Sequence, residues 1–195
     1  MLLIASRNRH KLVEIRAILG IKLLSADDLP GLPEIEETAD TFEGNALLKA
    51  RGLALASGHW TLADDSGLEV DFLNGAPGVR SARYAGERAA DAENLAKLVA
   101  AMAGVKQRAA RFRCVIALCS PEGESRTVFG ACEGRLSESP RGANGFGYDP
   151  LFIPEGHDKT FAELPAETKN ALSHRARALA AAKLAWSAEL GRFAQ

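Results

Sequence analysis

The chain opens with MLLIASRNRHKLVEIRAILG (residues 1–20), and this stretch decides the fold class. Residues 2–5 form an apolar run, which predicts a short strand. From Asn8 onward the apolar residues recur at helical spacing, and Gly20 follows the last of them as a helix stop. A strand that passes directly into a helix is typical of α/β proteins. We therefore predict an α/β fold.

The rest of the chain continues to alternate between helix and strand patterns. We expect a second helix from near Asp40 to Gly58, with Asp40 and Glu43 as a capping box. The remaining expected elements are a strand over 61–70, a helix over 89–101, a β-hairpin over 111–119 and 125–136, and a last helix over 175–189.

Composition limits the class of protein. The chain has 195 residues, 47% of them hydrophobic and 25% charged, which suits a single globular domain and excludes a disordered chain. No apolar run is long enough for a membrane helix, and the start does not have the order of a secretory signal. A net charge of −1 argues against stable nucleic-acid binding. The three cysteines form no CxxC, so we expect reduced, buried thiols in a cytoplasmic protein without a zinc site.

Residues Ser6 to Lys11 read SRNRHK and lie where the first strand passes into the first helix. A helix N-terminus carries partial positive charge and unpaired N–H groups, and therefore attracts anions. Arg9, His10 and Lys11 oppose that charge, a placement that a bound phosphate would make favourable. The alternative is a solvated basic turn with Asn8 as an ordinary N-cap. The segment is not a P-loop, because the chain lacks GxxxxGK[ST].

Asp64 and Asp65 end an apolar stretch and are followed by Ser66 and Gly67. Neighbouring strand residues point to opposite faces, so we expect the two carboxylates to do different work. One could hold Mg²⁺, which prefers oxygen ligands and is often shared with substrate phosphates. The other could orient or deprotonate a water molecule. The alternative is a turn in which both carboxylates satisfy local N–H groups.

A further carboxylate and a lysine would complete a site for a metal ion and a phosphate. Glu36 and Glu37 lie in the loop before the second helix, and Asn45 and Lys49 share one face of that helix. Spacing alone leaves open whether they meet Asp65, and solvated surface charges are the alternative interpretation.

The stretch GFGYDP at 145–150 has the composition of a nucleobase pocket. The glycines that flank Phe146 allow a ligand to approach the backbone, and the Phe146 ring could stack on a flat base. Asp149 could accept a hydrogen bond from a ring N–H. The alternative is a turn with a core phenylalanine.

A second polar segment runs from Lys169 to Arg175. Lys169 and His174 would not share a face of one continuous helix, so we predict a helix break, with Asn170 or Ser173 as the cap of the last helix. Arg175 and His174 then lie in a first turn, where cations are unfavourable. Two helix starts that carry cations indicate an anionic ligand.

In this order, the segments resemble the inosine-triphosphate pyrophosphatase family, whose members hydrolyse non-standard purine nucleoside triphosphates. The matching stretches are SRNRHK at 6–11, EET at 36–38, TFEGNALLKA at 41–50, ADDSGLEVD at 63–71, GAPGVRSARYAG at 75–86, GFGYDPLF at 145–152 and KNALSHRARAL at 169–179. Each stretch alone is of moderate specificity, whereas the ordered set is highly specific.

The resemblance implies a long central mixed β-sheet flanked by helices, with two lobes around a nucleotide-binding cleft inside one domain over 1–195. It implies a homodimer that needs Mg²⁺ and converts a nucleoside triphosphate and water to the monophosphate and pyrophosphate. The implied substrates are dITP, ITP and the xanthosine equivalents, whose removal keeps them out of DNA and RNA.

The resemblance also implies a role for each matching residue. The triphosphate would be held by Ser6, Arg7, Asn8, Arg9, His10 and Lys11, with Lys49 approaching the phosphates. Glu37 and Asp65 would hold the metal, Asp65 would be the proton acceptor, and Ser66 would touch the substrate. The base pocket would comprise Phe146, Gly147, Tyr148, Asp149, Lys169, His174 and Arg175. Ser6 stands where the family often has Thr and keeps the hydroxyl, whereas Arg7 replaces a residue that is often small, so its role is open.

Base chemistry agrees with these roles. Hypoxanthine presents an O6 acceptor beside an N1–H donor, which Arg175 or a backbone N–H and Asp149 could meet. Adenine presents the opposite pattern, and unpaired buried groups discriminate strongly. Guanine shares both groups with hypoxanthine, so its rejection must involve the 2-amino group.

Two other functions stay open. One is a pyrophosphatase for modified pyrimidine triphosphates, against which the two base-pocket segments argue. The other is a non-catalytic nucleotide sensor or nucleic-acid-binding module, although the chain shows no basic, aromatic face. A serine or cysteine hydrolase has little support, because the chain has no GxSxG and no cysteine beside a histidine.

Overall fold

A computed structural model describes residues 1–193. Within this range the strands are β1 (Leu2–Ile4), β2 (Leu23–Ser25), β3 (Thr61–Val70), β4 (Ala109–Cys119), β5 (Ser125–Leu136) and β6 (Phe152–Pro154). The α-helices are α1 (Arg9–Leu19), α2 (Phe42–Ser57), α3 (Asp91–Ala101), α4 (Ala166–Leu172), α5 (His174–Ala185) and α6 (Ser187–Gly191).

The described strands form one mixed sheet in the order β2-β1-β3-β4-β5-β6. β1 runs parallel to both β2 and β3, with Leu3 paired to Leu24 on one side and to Thr61 on the other. β6 runs antiparallel to β5, with Ile153 paired to Arg135. The sheet and its flanking helices confirm the predicted α/β class.

The contacts between residues in space group the chain into two compact units. The first unit comprises Met1–Asp65, Cys114–Gly130 and the chain from Arg175 onward. The second unit comprises Ser66–Arg113 and Ala131–His174. Treating the whole chain as one functional domain stays a prediction.

In the first unit, strand alternation sends neighbouring residues into two different cores. Leu2 and Ile4 of β1 pack with α1, α5 and α6, in a cluster that includes Ile15 and Leu179. Leu3, which lies between them, packs on the other face with the alanines of α2. A strand with period-two alternation between two buried faces requires helices on both sides, and the first unit supplies them.

The second unit has an aromatic core of its own. Leu98 of α3 and Met102, which follows the helix, pack in one cluster with Phe112, Phe152 and Phe161. The ring centroid of Phe112 lies 4.8 Å from that of Phe152 in an edge-on arrangement. Such aromatic pairs add to the stabilisation that burial provides.

The helix limits confirm several sequence predictions and correct two. Gly20 ends α1 in the left-handed conformation, as predicted, and Asn8 is its N-cap, as in the alternative interpretation of this segment. The predicted Asp40–Glu43 capping box is wrong, because Thr41 is the N-cap of α2 and accepts a hydrogen bond from the N–H of Gly44. The last helix is also not continuous to residue 189, because the backbone at Trp186 leaves helical geometry between α5 and α6.

Three further predictions concern turns, thiols and membranes. β4 and β5 are neighbours joined by a turn at Ser120–Gly123, which confirms the hairpin. The thiols are free and buried, as expected: Cys114, Cys119 and Cys132. Among residues 1–193, no helix has both the length and the hydropathy that a membrane span requires.

Candidate active site

The alternation of β3 decides which helices the two aspartates face. Leu62 belongs to the core beside α1 and α5, whereas Ala63 belongs to the core beside α2. Residues two apart on a strand share a face, so Asp64 faces α1 and α5, and Asp65 faces α2. The prediction that the two carboxylates have different surroundings is confirmed.

Asp64 is the centre of a buried ionic network. Its Oδ1 lies 2.6 Å from Lys11 Nζ, and its Oδ2 accepts hydrogen bonds from Arg175 Nε at 2.9 Å and Cys114 Sγ at 3.1 Å. Burial would raise the pKa of Asp64, but Arg175 and Lys11 outweigh it and hold the pKa well below its usual range. Asp64 is therefore a permanent anion that fixes two cations.

Arg175 is fully buried and is shared between two carboxylates. Besides its bonds to Asp64, its Nη1 donates to Glu14 on α1. Burial would lower its pKa, but Asp64 and Glu14 raise it above the usual value. At this helix start, two carboxylates of the protein itself compensate the cation. The anionic ligand inferred from the two helix starts stays a prediction. A contact between Arg175 and the base stays a prediction.

Lys49 joins Asp65 to Glu37. Its Nζ donates to Glu37 Oε1 at 2.7 Å, to Asp65 Oδ1 at 3.0 Å and to the main-chain oxygen of Asp64 at 2.9 Å. The structure thus brings together three residues that the sequence could not place side by side. Burial raises the pKa of Asp65. The positive charge of Lys49 is the main opposing influence, but it does not cancel the effect of burial. The carboxylates of Asp65 and Glu37 outweigh burial and raise the pKa of Lys49.

The donor set around Asp65 fits a hard divalent cation. Asp65 is 6% exposed, and its Oδ2 has no hydrogen-bond partner among the described residues. A buried carboxylate oxygen without a partner is costly and favours a cation or a water molecule as its ligand. Within residues 1–193, however, no three His, Cys, Asp or Glu side chains form a group able to hold a metal.

The loop that carries Glu37 is anchored by Asn45. Asn45 is fully buried, and its Oδ1 accepts a hydrogen bond from the N–H of Ala39 at 2.9 Å. Asn45 precedes Lys49 by one helical turn, so α2 holds this loop at Ala39 and again at Glu37. Sequence reasoning placed Asn45 and Lys49 on one face but gave Asn45 no role.

The start of α1 is less open to anions than its sequence suggests. Asn8 Oδ1 accepts hydrogen bonds from the N–H groups of His10 and Lys11, which removes two of the free donors of the helix. Ser6 Oγ accepts from the N–H of Asn8 at 3.2 Å. An anion at this position would therefore rely on the exposed side chains of Arg9 and His10 together with Lys11.

Arg7 has a partner on the surface. Its Nε lies 3.3 Å from Asp27 Oδ1, and both side chains are about half exposed, at 46% and 58%. An exposed pair of this kind contributes little to stability. A contact between Arg7 and the phosphates of a nucleotide stays a prediction.

In the second unit, Lys169 and Asp149 form a buried ion pair beneath an aromatic ring. Lys169 Nζ donates to Asp149 Oδ2 at 2.6 Å and lies 5.0 Å from the ring centroid of Phe146. The N–H of Phe146 donates to the same oxygen at 2.8 Å. Three of the predicted base-pocket residues are therefore in contact, and they present a cation, a carboxylate and a ring at one place.

Gly145 is required by this arrangement. Its φ is +75°, and a Cβ at this position would collide with the carboxylate of Asp149. Gly147 also has a positive φ, and its N–H donates to Asp91 Oδ2 at 3.0 Å. The hydroxyl of Tyr148 donates to the main-chain oxygen of Ser81, and burial raises the pKa of Tyr148. These bonds hold the loop around Phe146.

His174 and Ser66 complete the predicted positions. The ring of His174 stacks on Phe112, with centroids 4.6 Å apart, and His174 is buried. Ser66 follows Asp65 directly in β3 and is half-buried. The predicted break before His174 is confirmed, because Ser173 is extended between α4 and α5.

Comparison with known proteins gives the family. The family model described as "Ham1 family" matches residues 2–185. The chain belongs to the Ham1 family. It is 54% identical over 192 residues to the dITP/XTP pyrophosphatase of Geobacter sulfurreducens, an alignment that covers 95% of this chain and 96% of that protein.

A second relative and a solved structure agree. The dITP/XTP pyrophosphatase of Bacillus subtilis is 48% identical over 182 residues, which cover 91% of this Ham1-family chain and 92% of the relative. The Ham1 protein of Staphylococcus aureus superimposes with a TM-score of 0.86 at 39% identity, over 96% of this chain and 98% of that one. The resemblance to the inosine-triphosphate pyrophosphatase family is confirmed.

Two residues of the site were missed by sequence reasoning. Glu14 lies three positions after Lys11 on α1, a helical spacing that could have indicated a shared face. Cys114 gave no signal beyond its expected burial. Both contact the Asp64–Arg175 network and therefore support the site.

Proposed function

We propose that this chain hydrolyses non-standard purine nucleoside triphosphates (dITP, ITP and XTP) to the monophosphate and pyrophosphate, with Mg²⁺ as its metal. The observation that carries the proposal is the contact of Lys49 with Glu37 and Asp65. In this contact one ammonium group joins two carboxylates, which supports roles for Lys49 in phosphate binding and for Glu37 and Asp65 in metal binding. The names of the relatives support the substrate class.

Asp65 is the proton acceptor in this proposal. Its pKa is raised by burial, which brings it closer to the range in which a carboxylate removes a proton from water. Its Oδ2 has no hydrogen-bond partner among residues 1–193 and can accept one from the attacking water. Asp64 is unsuited to this work, because its low pKa and its bonds to Lys11 and Arg175 remove its basicity.

Lys11 and Lys49 stabilise the charge on the phosphates. Attack at the α-phosphorus makes pyrophosphate the leaving group, and negative charge grows on its oxygens. Preorganised cations at that place stabilise the transition state more than the ground state. Asp64 keeps Lys11 oriented before the substrate arrives.

Glu37 and Asp65 would hold Mg²⁺, a hard cation that takes oxygen ligands and keeps several positions for substrate phosphates. When bound there, Mg²⁺ supplies positive charge that stabilises the leaving pyrophosphate. The contact of Lys49 Nζ with Glu37 Oε1 and Asp65 Oδ1 supports this assignment, because both oxygens already face one cation.

In the second unit, the Lys169–Asp149 pair is suited to a 6-oxopurine. Lys169 can donate to O6, and Asp149 can accept from N1–H, while the Phe146 ring stacks on the base. Adenine would present a donor to Lys169 and an acceptor to Asp149, so neither hydrogen bond to the base could form. Uracil presents the same pair of groups at O4 and N3–H, so the preference for purines rests on the names of the relatives.

The test is to measure pyrophosphate and orthophosphate release from ITP, dITP, XTP, dUTP, ATP and GTP, with and without Mg²⁺. We expect pyrophosphate from ITP, dITP and XTP only, and no release without Mg²⁺ or in Asp65→Asn. Orthophosphate would show attack at the terminal phosphorus and contradict the mechanism. A dUTP preference would favour the pyrimidine function, and binding of ITP without turnover would favour the sensor.

The proposal includes a homodimer that acts in the cytoplasm. Sedimentation equilibrium measures the oligomeric state directly, and a monomer at all concentrations would contradict the dimer.

A further inference from the structure

Lys49 occupies the place that the proposed function assigns to the metal ion. Its Nζ contacts Glu37 Oε1, Asp65 Oδ1 and the main-chain oxygen of Asp64, at 2.7, 3.0 and 2.9 Å. An ammonium group has three N–H donors, so these acceptors use all of them. The lysine is therefore coordinated by oxygen atoms alone, as a hard cation would be.

The surrounding structure holds Lys49 in this place. Lys49 is 9% exposed and lies on α2, one turn after Asn45. Asn45 ties the main chain at Ala39 to the same helix, two residues after Glu37. The Lys49 side chain and the loop that carries Glu37 are thus fixed from the same helix, while β3 carries Asp65.

The charges explain what this contact does. Glu37 and Asp65 carry two negative charges, and the ammonium of Lys49 compensates one of them. Among the described residues, no three His, Cys, Asp or Glu side chains form a metal-binding group at which a cation could compete with the ammonium of Lys49. A divalent cation that enters alone would meet an ammonium at contact distance in a buried site, where repulsion between like charges is strong.

We infer that Lys49 is an internal counter-ion that keeps the divalent cation out of the Glu37–Asp65 pair until a triphosphate arrives. The phosphate oxygens offer the ammonium a new anionic partner, which leaves the two carboxylates to the cation that accompanies the nucleotide. Metal binding and nucleotide binding are coupled through this one side chain. The inference rests on the proposed function, because it uses the same carboxylates and the same lysine.

The test measures binding of Mn²⁺, as a probe for the divalent site, to the nucleotide-free protein by calorimetry and electron paramagnetic resonance. We expect Lys49→Gln to bind Mn²⁺ about tenfold or more tightly than the wild type, since an adjacent cation lowers the affinity of a carboxylate for a proton by about this much and the same repulsion acts on a metal ion. Lys49→Met keeps the apolar stem without the charge and should behave alike. Turnover of ITP should fall in both variants.

Two control variants separate charge from other effects. Lys49→Arg keeps the positive charge, and Lys183→Gln removes an exposed one whose Nζ donates to the main-chain oxygen of Ile18. Neither should bind Mn²⁺ more tightly than the wild type. Unchanged or weaker binding in Lys49→Gln and Lys49→Met would overturn the inference, as would equal tightening in Lys49→Arg.

A measurement on the wild type keeps the inference testable if the variants do not fold. In ¹⁵N NMR of the lysine ammonium groups, the Lys49 signal should be unaffected by Mg²⁺ alone. Displacement of Lys49 by Mg²⁺ without nucleotide would overturn the inference. Failure of the proposed function is recognised separately, because the wild type would then release no pyrophosphate from ITP.

Discussion

Asp64 and Asp65 are neighbours in sequence and differ in almost every physical property. Asp64 accepts a hydrogen bond from Cys114, and its neighbours Arg175 and Lys11 hold its pKa well below the usual range despite complete burial. Asp65 contacts Lys49, keeps one oxygen without a partner among the described residues, and has a raised pKa because of burial. One strand position therefore separates a structural anion from a candidate base.

This contrast predicts different defects for the two amide variants. Asp65→Asn should lower kcat by about 10²–10⁴-fold, the usual range for removal of a general base, and should leave the fold intact. Asp64→Asn should cost about 3–5 kcal/mol of unfolding free energy, because it removes one of the two carboxylates that compensate the fully buried Arg175 and also removes the partner of Lys11. Steady-state kinetics with ITP and urea unfolding measure the two effects.

Each variant is the control for the other. The assignment would be contradicted if Asp65→Asn destabilised the protein as much as Asp64→Asn, or if Asp64→Asn alone abolished turnover without any loss of stability.

At the scale of elements, the loop around Phe146 depends on a backbone that only glycine adopts easily. Gly145 and Gly147 have φ values of +75° and +60°. A Cβ at Gly145 would collide with the carboxylate of Asp149, whereas a Cβ at Gly147 has no neighbour within 4 Å. The two positions share the backbone strain of a positive φ and differ in what the side chain meets.

Gly145→Ala should therefore raise KM for ITP by about tenfold or more, because displacing Asp149 removes one of the buried groups that match the base. Gly147→Ala carries the strain of about 1–2 kcal/mol that a left-handed residue costs, without the collision. Kinetics with ITP and thermal unfolding compare the two variants. A larger rise of KM in Gly147→Ala would contradict the role given to Asp149.

The capping of α2 shows how an element boundary can be misread. Asp40 and Glu43 have the spacing of a capping box, but Thr41 makes the bond to the N–H of Gly44 at 3.0 Å. Asp40 and Thr41 are both good N-cap residues, and the choice between them depends on where the chain enters the helix. The general position of the helix was predictable, whereas its first residue was not.

At the scale of the whole molecule, the Asp64 network ties distant parts of the chain together. Arg175 and Asp64 are 111 positions apart, and Arg175 and Glu14 are 161 apart. The network therefore forms only when α1, β3 and α5 are assembled, and it should contribute to the free energy of unfolding of the first unit as a whole.

The pH dependence of stability follows from the lowered pKa of Asp64. In the unfolded chain this carboxylate titrates near 3.8, whereas in the folded protein it stays ionised to lower pH. The contribution of Asp64 to the free energy of unfolding is complete above its pKa in the unfolded chain. It is lost as the pH falls through its pKa in the folded protein. The difference in unfolding free energy between the wild type and Asp64→Asn should be constant above about pH 5 and shrink below about pH 4.

Urea unfolding at a series of pH values measures this difference. Because Asp64→Asn retains every other titrating group, the comparison isolates one carboxylate. A difference that stayed constant down to about pH 3, or that grew on acidification, would contradict the assignment of a lowered pKa.

The sequence by itself determined the α/β class, the approximate helices and strands, the opposite directions of Asp64 and Asp65, and the family through its ordered motifs. These features depend on side-chain period and local backbone preference, which act over a few residues. Tertiary structure alone decided that Lys49 bridges Glu37 and Asp65, and that Arg175 is neutralised by Asp64 and Glu14. Burial is the physical reason, because the assembled elements exclude water and a buried cation must then be paired with whichever carboxylates the packing brings within reach.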